Sequence, residues 1–383
     1  MEALAIPAAH HVIASVRASA RTRGLRLVKG ARSTFTLRMR SRVPSSAKTV
    51  NRLVSSGRST SFYPSQRALD EMRSILIVTA MPEPEGVMST ADGRMIAWVE
   101  GGDPDGYPVF GLHGTPGCRY SRMLDESAYV EAGNRYITTN RAGYGISTRN
   151  RGRAVAAEAA DVLAVADRLE LDRFPVVGGS GGGPHALACA ALIGGRVERV
   201  ACQSSLAPLG GGGLTRAEWL TGMDPEIAAE LAWAEAGEEV LTRKMMKAHR
   251  LIEQRFEAQP GLLIGENASE GDVVFLQRPE VIAAFHRIVP EQARQGVGGS
   301  VDDTLAFTSE WGFALRAIQV PVLLTYGTVD SSCPGAHGRL LARELPTAQV
   351  HEVDGEGHFA RDPQREVLTT QRWLRDGGEW LYP

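Results

Sequence analysis

The stretch FPVVGGSGGGPHALACAAL, residues 174–192, places one serine, Ser180, among five glycines. Glycine loses more conformational entropy on folding than any other residue and has no side chain to pack, so such a cluster indicates a need for backbone room. An apolar run precedes the glycines and an Ala/Leu-rich run follows them. The stretch therefore predicts a buried strand, a tight turn at Ser180 and a helix directly after it.

The rest of the chain alternates between strand and helix patterns. Strand patterns occur at 95–102, 107–114, 135–145, 174–179, 197–205, 320–327 and 348–353, and helical patterns at 154–171, 184–193, 336–344 and in a last run ending near 374. Alternation of this kind predicts an α/β fold with a mostly parallel central sheet covered by helices on both faces. Between the two halves the pattern is helical, at 227–256 and 279–293.

These patterns predict three parts of the chain after the N-terminal extension. We expect the first part of the core at 87–209, an inserted helical cap at 210–306, and the second part of the core at 307–383. Within the cap, Thr215 to Glu218 has the pattern of a capping box, and Asp224 followed by proline predicts a helix start.

Residues 1–72 form a basic extension rich in Arg, Ser and Thr. Three interpretations remain open: translation starts at Met72, Met81 or Met88, the extension is disordered, or it is an organelle transit peptide. We expect a cytoplasmic protein, with organelle targeting as the alternative if the extension is genuine.

Composition excludes several classes of function. The chain is 43% apolar and 22% charged, as in an ordinary globular protein. Residues 71–383 carry 29 Lys and Arg against 42 Asp and Glu, which disfavours a nucleic-acid partner. No apolar run approaches the length of a membrane span. The chain has four cysteines without zinc-ligand spacing: Cys118, Cys189, Cys202 and Cys333. Three of them lie within or beside apolar stretches and are predicted to be small core residues.

The residues from Gly178 to Gly182 match the pattern G-x-S-x-G between a strand and a helix. In that setting the serine is a candidate nucleophile, and the backbone N–H of Gly181 is a candidate oxyanion donor at a helix N-terminus. A phosphate-binding P-loop is excluded because no lysine follows. A loose dinucleotide pattern from Gly181 to Ala186 and a plain packing turn remain as alternatives.

A second motif, HGTPG at residues 113–117, directly follows a predicted buried strand. Because Pro116 has no N–H, the backbone N–H of Thr115 is the candidate second oxyanion donor. We interpret His113 and Gly114 as support for this loop.

Two further residues complete a candidate triad. Asp330 follows the strand pattern at 320–327, and His358 lies in the loop GEGHF after the last strand pattern. A carboxylate on one loop can orient a histidine on the next, so Asp330 is the candidate acid and His358 the candidate base. The chain order Ser180, Asp330, His358 is that of nucleophile, acid and base in one known arrangement.

With these motifs, the chain resembles the α/β-hydrolase superfamily over residues 87–377, in the form that carries a helical cap. The resemblance implies a serine hydrolase that needs no metal and no organic cofactor and acts on a small-molecule ester or amide. The segment NRAGYGIST, residues 140–148, also resembles a segment common in the superfamily, although Asn140 stands where relatives often carry Asp.

Three functions remain open. The leading one is hydrolysis of a carboxylic ester through an acyl-enzyme. The second is an aminopeptidase or amidase of the proline iminopeptidase type, since HGTPG resembles the HGGPG of those enzymes. The third is a non-catalytic small-ligand-binding protein on the same fold, which the complete serine, acid and base set disfavours. The sequence identifies neither the substrate nor the oligomeric state.

Overall fold

A computed structural model describes residues 26–29, 35–38, 85–123, 125–258 and 267–382. The chain divides into two units, Met1–Val78 and Thr79–Pro383. In the first unit, strands β1 (Arg26–Lys29) and β2 (Phe35–Arg38) pair in antiparallel fashion. The interpretations of the basic extension otherwise concern residues outside the described ranges, and they stay predictions.

The second unit is built on an eight-stranded sheet. Its strands are β3 (Glu85–Ser89), β4 (Met95–Gly102), β5 (Tyr107–Leu112), β6 (Asn134–Thr139), β7 (Phe174–Gly179), β8 (Val197–Gln203), β9 (Val322–Gly327) and β10 (Ala348–Val353). The strand order is β10-β9-β8-β7-β5-β6-β4-β3, with β3 and β4 antiparallel to their neighbours and the other pairs parallel. The predicted fold class is confirmed.

Helices connect these strands. They are α1 (Ser127–Ala132), α2 (Glu158–Arg168), α3 (Gly182–Leu192), α4 (Arg216–Leu220), α5 (Pro225–Glu235), α6 (Glu238–Ala258), α7 (Glu270–Leu276), α8 (Pro279–Gln292), α9 (Gly298–Phe307), α10 (Gly335–Glu344) and α11 (Pro363–Asp376). The helix predicted at 154–171 is shorter than expected, because its first turn is a 3₁₀ helix, Val155–Ala157. The helical pattern at 227–256 is two helices, which separate at Gly237, where φ is +102°.

Helices cover both faces of the sheet. Because successive side chains of a strand point in opposite directions, each central strand contributes to an apolar cluster on either face. Val176 of β7 lies in a large apolar cluster with residues of α2, α3 and α10. Its neighbour Val177 lies in a second cluster with Trp373 and Leu374 of α11. At about 25 cal/mol per Å² of apolar surface removed from water, these two layers are the main stabilising contribution to the second unit.

Helices α4 to α9 form one stretch of the chain, residues 216–307, which we call the helical segment. It lies between β8 and β9 in the chain, and within 204–258 and 267–321 no residue joins the sheet. Thr215 and Glu218 form the predicted capping box, and Asp224 caps α5 as predicted. None of the helices in the described ranges is both long and apolar enough to cross a membrane.

Candidate active site

Ser180 lies at the turn between β7 and α3. Its φ is +54°, a left-handed conformation that non-glycine residues seldom adopt. The turn is fixed from both sides, because the Ser180 N–H donates to the carbonyl of Gln203 and the Ser180 carbonyl accepts from the N–H of Gly183. Strained backbone of this kind occurs at functional sites where the surroundings hold it in place.

Gly178 and Gly182 are required by close approach of backbone atoms, and Gly183 by close approach of a side chain. A Cβ on Gly178 would lie 2.3 Å from the carbonyl oxygen of Gly182, and a Cβ on Gly182 would lie 2.1 Å from that of Leu112. A Cβ on Gly183 would lie 2.1 Å from the hydroxyl of Ser205. The turn can therefore bring β7, β5 and α3 together only with glycine at these positions.

The loop after β5 lies directly against Ser180. A Cβ built on Gly114 would be 3.3 Å from the Cβ of Ser180, and one on Gly181 would be 2.4 Å from Oγ1 of Thr115. The candidate oxyanion donors Gly181 and Thr115 are thus neighbours. His113 is fully enclosed: Nε2 accepts from the N–H of Arg141 at 3.1 Å, and Nδ1 donates to the carbonyl of Gly114 at 2.7 Å. Burial, with help from Arg141, holds the pKa of His113 well below its ordinary value, so this ring stays neutral.

A buried ion-pair network contacts the loop after β5 on the side of α9. Arg141 is 1% exposed and donates to the carbonyls of His113 and Gly114 at 2.8 and 3.1 Å. Its Nε donates to Oδ1 of Asp303 at 2.9 Å. Thr115 Oγ1 donates to the other oxygen of Asp303 at 2.6 Å. The loop is therefore tied to α9 of the helical segment.

Asp303 is the centre of this network. It is fully buried and also accepts from the hydroxyl of Tyr144 at 2.8 Å and from the guanidinium of Arg153. Burial alone would raise the pKa of Asp303, but the charges of Arg141 and Arg153 hold it well below its ordinary value. The carboxylate therefore stays ionised.

Asp330 and His358 meet as the sequence predicts. Nδ1 of His358 donates to Oδ2 of Asp330 over 2.9 Å. The other carboxylate oxygen accepts the N–H groups of Ser332 and Cys333 at 2.7 and 2.8 Å. Because both oxygens of Asp330 are engaged, its carboxylate is fixed, and it orients the imidazole through one nitrogen only.

The charge state of His358 reflects two opposing influences. Burial lowers the pKa of the imidazole, while the nearby carboxylates of Asp330 and Asp272 raise it, and the balance is a pKa above the ordinary value of 6.5. The paired ring is thus well suited to hold a proton taken from another group.

One large cavity is lined by the candidate nucleophile, the candidate base and both candidate oxyanion donors. It has a volume of about 1370 Å³, and its wall includes Ser180, Gly181, Thr115 and His358. Most of the wall contributed by the helical segment is apolar, including Ile227, Leu231, Trp233, Phe275, Phe285 and Ile288. Trp219 of α4 also lines the cavity.

Asp330, Cys333 and His358 also present oxygen, sulfur and nitrogen atoms within 4.8 Å of one another. Burial, followed by the charge of Asp330, raises the pKa of the Cys333 thiol well above its ordinary value, so the thiol is protonated. Nδ1 of His358 and both oxygens of Asp330 are already engaged in hydrogen bonds, so these groups form a hydrogen-bonded cluster. The absence of a metal stays a prediction. All four cysteines are free and buried.

Comparison with known proteins shows which family the chain belongs to. A model described as the alpha/beta hydrolase fold matches residues 107–362, two thirds of the chain. The chain belongs to the alpha/beta hydrolase fold family. The match includes Ser180, Asp330 and His358, and membership of the family supports a hydrolase activity.

Individual relatives of this alpha/beta hydrolase are distant. A non-heme chloroperoxidase of Streptomyces lividans is 27% identical over 74% of this chain and 96% of its own length. Among solved structures, an alpha/beta hydrolase fold protein from Chitinophaga pinensis has a TM-score of 0.56 at 20% identity, over 78% of this chain and 98% of its own. An esterase from Exiguobacterium antarcticum has a TM-score of 0.54 at 19% identity, over 76% and 99%. These structural likenesses show the fold.

Two acids of the site escape the sequence motifs. Asp303 lies in the helical segment beside a second aspartate, Asp302. Two adjacent acids within an otherwise apolar helix indicate that positively charged partners are buried with them, and this is the signal that could have identified Asp303. Asp272 follows the N-cap residue Ser269 by three residues, which is the spacing of an acid in a capping box. This pattern already accounts for an acid at position 272, so the sequence gives no reason to assign it to the site. Both depend on contacts distant in the chain, which spacing cannot reveal.

Proposed function

We propose that this protein is a serine hydrolase that cleaves carboxylic esters, with Ser180 as nucleophile, His358 as base and Asp330 as the orienting acid. The observation that supports it best is the shared cavity: Ser180, strained at the β7–α3 turn, lines the same space as the imidazole that is paired with Asp330.

In the proposed reaction, Oγ of Ser180 attacks the ester carbonyl carbon and its proton passes to Nε2 of His358. Asp330 holds Nδ1–H and stabilises the imidazolium. The N–H groups of Gly181 and Thr115 bind the oxyanion, and losing one such donor typically costs about 2.7–4 kcal/mol. Collapse of the intermediate expels the alcohol with the proton from His358. Water activated by the same imidazole then attacks the acyl-enzyme and releases the acid.

The helical segment acts in this proposal as a cap over the active site. Ordinary ligand pockets measure about 300–1,000 Å³, and the cavity here is larger, at about 1370 Å³, with an apolar cap wall. We therefore infer that the ester carries a bulky apolar part.

One experiment tests the role of the serine. A fluorophosphonate probe should label the wild-type protein and the Ser204→Ala variant, which lacks another serine of the cavity wall, but not Ser180→Ala. Ser180→Ala should also lose turnover of p-nitrophenyl octanoate, which the wild type should cleave with a higher kcat/KM than the acetate ester. Near-wild-type turnover by Ser180→Ala, or equal labelling of both variants, contradicts the role of Ser180 as nucleophile. A wild-type protein that shows neither turnover nor labelling favours a binding protein instead.

One observation favours amide hydrolysis as a second candidate. Glu230 of α5 lines the cavity, has a hydrogen bond to Oγ1 of Thr304, and burial raises its pKa to about 7. A half-buried carboxyl of this kind could pair with the amino group of an aminoacyl substrate. Hydrolysis of aminoacyl naphthylamides in preference to esters, reduced in Glu230→Gln, would establish the amidase instead.

A further inference from the structure

The loop that carries His358, residues 355–361, is held at its backbone by helix α7 of the helical segment. We call it the histidine loop. Asp272 of α7 is 2% exposed, and its two carboxylate oxygens accept the backbone N–H groups of His358 at 3.0 Å and Phe359 at 2.8 Å. One buried carboxylate from a distant part of the chain thus satisfies two successive N–H groups at the candidate base.

Two other contacts, one from α7 and one from Arg278 just after it, also lie against the histidine loop. The rings of Phe275 and Phe359 stack with centroids 4.3 Å apart and planes inclined by 15°. The guanidinium of Arg278 donates to the carbonyl of Arg361 at 2.7 Å. A Cβ on Gly357 would lie 2.1 Å from Oδ2 of Asp272, so the loop approaches the carboxylate as closely as a glycine allows. The contact is therefore a packed interface and not a single hydrogen bond.

The two anchors of His358 come from different parts of the fold. Asp330, on the loop after β9, holds the imidazole, while Asp272 holds the peptide backbone beneath it. An imidazole fixed only at Nδ1 could still shift with its loop, and a displacement of about 1 Å can cost about 100-fold in rate. We propose that Asp272 is a positioning residue that sets the place of His358 relative to Ser180 and so couples the helical segment to catalysis, an inference that rests on the proposed serine hydrolase function.

The charge of Asp272 adds a second, measurable effect. The groups that face His358 are Asp330 and Cys333 from the loop after β9 and Asp272 from α7. Burial lowers the pKa of His358, and the charges of Asp330 and then Asp272 raise it. Removing the charge of Asp272 should therefore make His358 easier to deprotonate.

The variant Asp272→Asn tests both effects. An asparagine oxygen can accept one of the two N–H groups, but its NH₂ group cannot accept the other. We expect kcat for a p-nitrophenyl ester to fall about tenfold or more, with little change in KM, because a charged hydrogen bond to the backbone of the histidine loop is lost. In NMR titrations of histidine-labelled protein, the pKa of His358 should fall, and the acidic limb of the kcat/KM profile should move to lower pH with it.

Ser269→Ala is the matched control. Oγ of Ser269 accepts the N–H of Asp272 at 3.1 Å as the N-cap of α7, so this variant weakens the same helix while keeping the carboxylate. The pKa of His358 should stay at its wild-type value in this variant. A fall in both variants would assign the effect to the stability of α7 and overturn the positioning role.

The NMR titration does not depend on turnover, so failure of this inference differs from failure of the proposed function. An unchanged His358 pKa and a kcat within twofold of wild type in Asp272→Asn would overturn the inference even if Ser180 is the nucleophile. If Asp272→Asn does not fold, hydrogen exchange in the wild type decides. Slow exchange of the His358 and Phe359 amides supports the anchor, and exchange at the rate of an open loop refutes it.

Discussion

Replacing Asp303 by alanine would break the network that supports the loop after β5, residues 113–117, which carries the proposed oxyanion donor Thr115 and which we call the oxyanion loop. The change leaves Arg141 and Arg153 as buried charges, each with a side chain 1% exposed, without their common carboxylate. Removing one partner of a buried ion pair typically costs about 3–5 kcal/mol, because the remaining charge is uncompensated. We therefore expect the free energy of unfolding of Asp303→Ala to fall by about that amount, measured by urea denaturation followed by circular dichroism.

The same change should lower activity. Thr115 Oγ1 loses its acceptor, and Arg141 loses the group that orients it toward the carbonyls of His113 and Gly114. If the Thr115 N–H then no longer reaches the oxyanion, kcat for a p-nitrophenyl ester should fall by about 100- to 1,000-fold, the usual effect of losing one donor. Rates are to be measured at a temperature where the variant remains folded.

Asp302 provides the control on the same helix. It is also fully buried, but its partner Arg149 has a side chain 35% exposed and a second acceptor in Glu238. Because water and Glu238 compensate Arg149, Asp302→Ala should cost roughly 1–2 kcal/mol of stability and leave kcat near the wild-type value. Equal losses of kcat in the two variants, or a wild-type kcat in folded Asp303→Ala, would refute the link between this network and the oxyanion loop.

Two further predictions follow from the site. The neutral imidazole of His358 is the proposed base, and its pKa is raised above the ordinary value of 6.5, so kcat/KM for a neutral ester should rise with pH through a midpoint above 6.5. A midpoint below 6.5 would contradict the pairing with Asp330. Gly178→Ala should lower the free energy of unfolding by several kcal/mol, on the order of a severe overpacking, because its Cβ would meet the carbonyl of Gly182. The control Gly195→Ala should change the free energy of unfolding little, because no atom lies within 4 Å of the added Cβ. Similar denaturation midpoints for the two variants would refute the steric account.

The sequence predicts the elements whose signals are local. The strand at 348–353 is found at those bounds, and the turn predicted at Ser180 is found between β7 and α3. In both cases the pattern that predicts the element lies within one short stretch of the sequence. The meeting of Asp330 with His358 is also predictable, since loops after neighbouring parallel strands lie at one edge of a sheet, and β9 pairs with β10.

Other features depend on contacts that no local pattern records. The short strand β3 has alternating exposed residues and no continuous apolar run, so it lacks the signal of a buried strand. Helix α9 contains Gly298, Gly299 and two buried aspartates, and intrinsic propensity alone disfavours it. Tertiary packing and the arginines from other loops stabilise it, and they are 150 or more residues away in the chain.

The positions of Asp272 and Asp303 link the inserted helical segment to the loops that carry the proposed active site. Loops beyond the ends of parallel strands leave the sheet ladder, so their buried N–H groups and cations need acceptors from elsewhere. The helical segment supplies them, with Asp303 beneath Thr115 and Asp272 beneath His358. A movable lid over a finished site would make few buried polar contacts with it. Since these two carboxylates are buried among the very loops proposed to act on the substrate, we interpret the helical segment as part of the framework of the proposed active site and not as a separate lid.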